Sequence, residues 1–260
     1  MNEGWTTRHV PARLVVVRHG QSLGNLADAA AREGGSGRLE LTTRDADTPL
    51  SDTGREQAQA LKRAVARRGA GERPGLVLTS PYVRAADTAT IALSGLADGT
   101  PVVARDERLR ERDLGAFDGL TGDGIRAAHP EEAERRAFTG KLYYRPPGGE
   151  SWTDVALRVR QLVADLAHTE HECVWVFTHQ AVILAFRLVL EGLTEEEVLR
   201  IDREEPLPNT SVTTYERDDA GRLRLSTFAD VSHLEQEEAP TTREEPAHEP
   251  VDRLVDEGTS

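Results

Sequence analysis

A single cysteine, Cys173, in 260 residues excludes an intrachain disulfide framework. Its place in the apolar run CVWVF predicts a buried, inert thiol. No apolar stretch approaches the roughly 18 to 20 residues that cross a bilayer. No N-terminal stretch joins a basic flank, an apolar centre and a small-residue cleavage site, so the expectation is a soluble cytoplasmic protein. Positive charge is scarce as well: 32 Lys and Arg stand against 45 Asp and Glu, a formal net charge of −13. That balance argues against a general nucleic-acid binder and against an anionic-membrane binder. It also offers no steering for a polyanion, which favours a small monophosphate over a highly charged ligand. Much of the acidity is terminal, because Glu235 to Ser260 holds nine acidic residues against Arg243 and Arg253. Low in apolar residues and rich in Glu, Pro and Thr, that stretch cannot offset its ordering entropy and is expected to be a disordered, solvated tail. Residues 1–12 read as a flexible leader, and 13–234 as one domain without internal repeats.

What is present begins with Leu14-Val15-Val16-Val17, an apolar, mostly β-branched run that predicts a fully buried strand of a parallel sheet. It stops at Arg18-His19-Gly20. Leu26 to Thr48, with Gly34, Gly35 and Gly37, reads as a long loop with a helical turn near Ala27 to Glu33, placed where a lid would sit. Helical spacing follows through Ala58, Leu61 and Val65. A second strand, Leu76 to Thr79, ends at Ser80-Pro81 and leads into a helix carrying Arg84 and Thr88. Pro101 to Ala104 is a third strand, followed by RLRERDLGAFDG. Asp123 to Lys141 is helical and broken at Pro130, and Ser151 to Ala167 is amphipathic through Val155, Val159, Leu162 and Leu166. The fourth strand, Cys173 to Thr178, ends in His179, and an apolar helix, Ala181 to Leu190, stops at Gly192. After the acidic helix TEEEVLRID, SVTTYER and RLRLSTFA alternate in polarity around Asp218 to Gly221, as a hairpin does. Strands alternating with helices predict an α/β fold, a three-layer α/β/α sandwich around a mainly parallel sheet.

In such a sheet the chemistry collects beyond the carboxyl ends of the strands. Arg18 and His19, Arg84, Glu111 and His179 each follow a different strand and therefore converge on one crevice. Arginine forks match phosphate oxygens, and a helix N-terminus adds donors for an anion. An imidazole near neutrality can act as a nucleophile, and a carboxyl group can supply a proton to a leaving alkoxide. These are the parts of a metal-free phosphoryl transfer through a phosphohistidine. Taken singly they mean less: His179 in FTHQAVILAF reads as a core histidine, and Glu111 among Arg108, Arg110 and Arg112 as a surface charge. His168 and His171 lack a third metal ligand, so no metal is expected.

The segments RHGQSxxN, SPYVRAADTA, LRERDLGAFDG, GGES and FTHQAV, in this order between about Leu14 and Leu193, resemble the histidine phosphatase (phosphoglycerate mutase-like) superfamily. The resemblance implies that His19 is the phosphorylated nucleophile and that Arg18, Arg84 and His179 hold the phosphoryl oxygens with help from Asn25. It makes Glu111 the general acid and then the base, with Asp113 the fallback. KLYYRPPGGES and THQAV further resemble the bisphosphatase module of enzymes that make and break fructose 2,6-bisphosphate, which implies that Lys141, Tyr144 and Gln180 contact a distal phosphate. One departure is Leu184, where that module carries an arginine. The HGNSLR segment and longer Arg- and Pro-rich insertion of the mutases are absent, which favours hydrolysis over mutation. The expectation is a phosphomonoesterase, with no cofactor, acting on a small phosphorylated metabolite as a monomer or homodimer. The alternatives are a mutase and a non-catalytic phospho-ligand module.

Overall fold

Leu14, Val15, Val16 and Val17 have no exposed surface, and they form the heart of β1 (Arg13–Arg18). In this computed structural model, which describes residues 10–96, 101–205 and 207–244, the pleat sends Leu14 and Val16 to one face of the sheet and Val15 and Val17 to the other. Both faces are covered, and that is why the run is apolar at every position rather than at alternate ones.

The elements follow in the order β1, α1 (Leu23–Glu33), α2 (Asp52–Arg67), β2 (Leu76–Thr79), α3 (Val83–Leu93), β3 (Val102–Arg105), α4 (Gly122–Ala128), α5 (Pro130–Thr139) and α6 (Trp152–Leu166). They continue with β4 (Cys173–Thr178), α7 (Gln180–Glu191), α8 (Glu195–Glu204), β5 (Val212–Arg217), β6 (Leu223–Asp230) and α9 (Ser232–Gln236). The six strands among the described residues form one sheet in the order β3-β2-β4-β1-β5-β6. The four strands from β3 to β1 run parallel, and the β5–β6 hairpin continues the sheet antiparallel from β1. The expected three-layer sandwich is therefore present. Helices α6 and α7 cover the face of Leu14, Val16, Val174 and Val176, while α2 and α3 cover the face of Val15, Val17, Trp175 and Phe177. Cys173 is a buried free thiol, as its setting predicts.

Three expectations need correction. The segment after His19 is not a loop with a late turn: Ser22 caps α1 directly, its hydroxyl accepting from the Asn25 amide while the Asn25 side chain accepts from the Ser22 amide. That reciprocal cap overrides the weak periodicity, and the loop begins only at Gly34. The second concerns the leader: Val10 and Ala12 are tied to Arg217 through their carbonyls, and the rest of it, 1–9, lies outside the described residues. The third is the tail. Ser232 to Gln236 is helical, and Pro240, Thr242 and Glu244 have defined hydrogen-bond or ion-pair partners. The remainder, 245–260, lies outside the described residues.

The turn after β1 packs backbone to backbone on the start of α2. A Cβ placed on Gly54 would lie 2.0 Å from the Gln21 carbonyl oxygen, and one placed on Gly20 would lie 2.6 Å from the Gly54 carbonyl oxygen. Both glycines are needed for this approach, and neither obstructing atom can swing away. Gly54→Ala is expected to cost about 1–3 kcal/mol through forced backbone displacement, read from the urea midpoint. An unchanged midpoint contradicts the close approach.

Candidate active site

The parallel strands deliver their ends to one edge. The His19 amide donates to the Thr178 carbonyl at 2.9 Å, and the Ser80 amide to the Phe177 carbonyl at 2.9 Å, so the residues after β1, β2 and β4 are fixed against one another. His19 and His179 face each other with ring centroids 5.0 Å apart. Arg18, His19, Arg84 and His179 are each at most 5% exposed. Two guanidinium groups and two imidazoles thus share a site almost closed to solvent.

His19 Nδ1 lies 2.7 Å from the Gly20 carbonyl oxygen. A carbonyl only accepts, so Nδ1 carries the proton, and in the neutral ring the lone pair is on Nε2. The rest of the turn is held as tightly. The Gly20 amide donates to Thr88 Oγ1 at 3.0 Å, and that hydroxyl donates to the Arg84 carbonyl at 2.6 Å, tying the turn to the first turns of α3. Asn209 Nδ2 donates to the His19 carbonyl at 3.2 Å. His179 Nε2 sits 2.8 Å from Ser80 Oγ, and its buried Nδ1 has no hydrogen-bond partner among the described residues.

Burial, with Arg84 and then Arg18 nearby, holds the pKa of His19 well below the ordinary imidazole value; the Gly20 carbonyl opposes this. His179 is depressed in the same way by burial, Arg84 and His19. Glu111 moves in the opposite direction. Burial in the cleft raises its pKa, while the Arg112 amide and Arg84 pull it down. Glu111 Oε1 accepts from that amide at 2.8 Å. Burial thus favours the neutral form of both groups, the unprotonated imidazole of His19 and the protonated carboxyl of Glu111, and the Arg84 guanidinium acts on each.

Glu111 is placed by residues whose part the sequence did not disclose. Thr178 Oγ1 donates to the Leu109 carbonyl at 2.8 Å. Arg158, on α6, donates to the Glu111 carbonyl at 3.3 Å and pairs with Glu150 at 3.1 Å. Glu150 also pairs with Arg110 at 2.6 Å and accepts from the Asp113 amide at 3.1 Å. The Glu of GGES is therefore an organiser of the loop that carries Glu111, not a group facing a ligand. Asp113, the fallback acid, is exposed and uses Oδ1 to accept from the Gly115 amide at 2.7 Å. Ser80 and Glu150 lie inside motifs quoted above, whereas Asn209 lies beyond the last of them and left no signal.

The arginines are already engaged by carboxylates. Arg84 Nη1 donates to the Asp45 carbonyl at 2.6 Å and lies 3.0 Å from Asp45 Oδ1, so the 34–48 loop meets the site through a charge. Arg18 Nη2 lies 3.0 Å from Glu244 Oε2, and Asn25 Nδ2 donates to Glu244 Oε1.

Lys141, Tyr144 and Gln180 are only partly brought together. Lys141 pairs with Asp202 at 2.9 Å, and Gln180 Nε2 approaches the same carboxylate at 3.3 Å. Tyr144 instead donates to Glu132 at 2.7 Å. Lys141 and Tyr144 line a cavity of about 130 Å³ together with Arg112, Phe117, Ile125 and Arg136. Leu184 is fully buried in the core, so no polar group at that position faces a ligand.

The sheet order and the flanking helices define a protein of phosphoglycerate mutase-like fold. The chain belongs to the histidine phosphatase superfamily (branch 1), whose family model matches residues 14–230. It is 39% identical over 161 residues to a glucosyl-3-phosphoglycerate phosphatase of Mycobacterium tuberculosis. That match covers 62% of this chain and only 62% of the relative. A 2,3-bisphosphoglycerate-dependent phosphoglycerate mutase of Rhizobium meliloti is 32% identical over 73% of this chain and 84% of its own length. Among solved structures, a mycobacterial glucosyl-3-phosphoglycerate phosphatase in complex with VO3 superposes with a TM-score of 0.64 at 31% identity, over 84% of this chain and 98% of the other.

Because the folded pKa values of His19 and His179 lie below the unfolded value, the native state binds fewer protons, and the stability these groups contribute is lost as pH falls through 6.5. A ¹⁵N NMR titration is expected to show His19 neutral at pH 6.5, with the proton on Nδ1. A midpoint at or above that value, or an Nε2–H tautomer, contradicts the arrangement.

Proposed function

We propose that this chain is a phosphomonoesterase that hydrolyses a small phosphorylated metabolite through a phosphohistidine at His19. The observation that carries the reading is a buried His19 whose Nδ1 is held on the Gly20 carbonyl, leaving Nε2 free to attack, with the charge of Arg84 acting both on it and on a Glu111 whose pKa burial raises. His19 Nε2 attacks phosphorus in line, the N–P bond forms, and the P–O bond to the leaving group breaks. Glu111 gives its proton to the departing alkoxide. The resulting carboxylate then takes a proton from water, which attacks phosphorus, breaks the N–P bond and releases phosphate. Arg18 and Arg84 neutralise the equatorial oxygens of a group that needs positioning and charge stabilisation more than covalent help. His179, held through Ser80, adds a further polar contact, and Asn25 is placed beside Arg18 through Glu244.

The relatives named for phosphatase activity on glucosyl-3-phosphoglycerate suggest a leaving group larger than a simple alcohol. The cavity beside Arg112, walled by Phe117 and Ile125 and edged by Lys141, Arg136 and Glu132, has apolar walls and more cations than carboxylates, the character to receive an organic anion. Lys141 and Tyr144 are proposed as contacts there, with Gln180 and Asp202 fixing Lys141 from behind. A second reading, a mutase that returns the phosphoryl group to its acceptor, is favoured by the mutase relatives at 32 to 34% identity.

Phosphate release from p-nitrophenyl phosphate, 3-phosphoglycerate, glucosyl-3-phosphoglycerate and sugar monophosphates, without added metal, separates these readings. His19→Ala is expected to abolish release, and Glu111→Gln to lower kcat by roughly 10² to 10⁴. The mutase reading gains if 2- and 3-phosphoglycerate interconvert when primed and nothing is hydrolysed. Activity retained by His19→Ala rules out the phosphohistidine.

A further inference from the structure

The last described residues of the chain return to the phosphate site. After α9, Gln57 Nε2 donates to the Pro240 carbonyl at 2.9 Å and to Thr242 Oγ1 at 2.7 Å. The Asn209 amide donates to the Thr242 carbonyl at 2.8 Å, and the Thr242 hydroxyl donates to Asn209 Oδ1 at 3.0 Å. The anchors are the same side chains that hold the catalytic turn. Gln57 Oε1 accepts from the Gln21 amide at 2.9 Å, and Asn209 holds the His19 carbonyl. The segment is thus seated on the wall of the site by specific bonds, and these bonds bring Glu244 to Arg18 and Asn25.

We propose that the segment from Pro240 to Glu244 is a tethered anionic ligand of the phosphate site, with the Glu244 carboxylate occupying Arg18 and Asn25 until a phosphorylated substrate displaces it. The inference rests on reading Arg18 as a phosphate ligand. Three observations support it. Arg18 is 1% exposed, and its side-chain partners are the Leu207 carbonyl and Glu244, so a phosphoryl oxygen and this carboxylate compete for one guanidinium edge. Asp45 occupies Arg84 from the other side, so both guanidinium groups are charge-matched in the resting protein. Glu244 and Asp45 each set a negative charge near Glu111, where an incoming phosphoryl group also brings negative charge, and like charges do not share the site. A carboxylate on a short tether acts at high effective concentration. The apparent affinity for phosphate falls by the fraction of molecules in which the site is free.

Calorimetric titration of inorganic phosphate into the full-length chain tests this without turnover. Glu244→Gln, which keeps the shape and removes the charge, is expected to tighten phosphate binding by at least about threefold. Thr242→Val, which removes the anchor and leaves the charge, is expected to change it in the same direction. Glu235→Gln, an acidic residue on α9, controls for net charge and is expected to leave binding unchanged. Unchanged or weaker phosphate binding by Glu244→Gln overturns the proposal, the weaker case making Glu244 part of the binding site rather than its competitor. Tighter binding in Glu235→Gln equal to that in Glu244→Gln overturns it too. If Glu244→Gln binds phosphate more tightly while no substrate is hydrolysed in a His19-dependent way, the tethered ligand stands and the phosphatase reading fails.

Discussion

A neutral imidazole enclosed by two guanidinium groups is the constraint on which the rest of this structure depends. Left in water, the His19 imidazole would titrate near its ordinary pKa of about 6.5, partly protonated at neutral pH and with its tautomer unfixed. Burial and the charges of Arg84 and Arg18 prevent that, and the Gly20 carbonyl then selects which nitrogen keeps its proton. Neither effect survives if the turn drifts. The close approach of Gly20 to Gly54, the Thr88 hydroxyl between the turn and α3, and the Asn209 amide on the His19 carbonyl are its physical means of staying put.

The same cations would make the site unstable if nothing balanced them. Buried charge is tolerated only when paired. Carboxylates supply the balance at each point, with Asp45 on Arg84, Glu244 on Arg18, and Glu150 on Arg158 and Arg110 behind the Glu111 loop. Glu150 is permanent scaffolding, locked by several donors. Asp45 and Glu244 come from a loop and from the chain's last described residues, and these are the partners a phosphoryl group has to replace. A resting state with its cations already matched makes affinity depend on exchange of anions rather than on their addition.

Much of this was legible in the sequence because the positions are tied to periodicity or to a strand end. The unbroken Leu14 to Val17 run reads as a strand covered on both faces, and the residues following the parallel strands, the exposed edge strand β3 included, meet at one edge. The start of α1 was hidden because Gly24 and the glycines after Glu33 dilute the helical pattern, while a two-residue cap decides the outcome. Of Lys141, Tyr144 and Gln180, expected at a distal phosphate, the first and last meet at Asp202, while Tyr144 turns to Glu132, a partner twelve residues away that spacing cannot reveal. The tail was misjudged over 235–244 for a physical reason. Composition measures apolar burial, and this segment is held instead by hydrogen bonds to Gln57 and Asn209, which no composition reports.

The proposed reaction turns on covalent phosphorylation of His19 at Nε2. The most direct measurement is rapid quench of the protein with p-nitrophenyl phosphate under conditions that preserve phosphoramidates, followed by peptide mass spectrometry. The expected result is a phosphoryl adduct confined to the peptide containing His19, linked through Nε2, and absent in His19→Ala. An adduct on another residue, or turnover with no adduct at any time point, contradicts it.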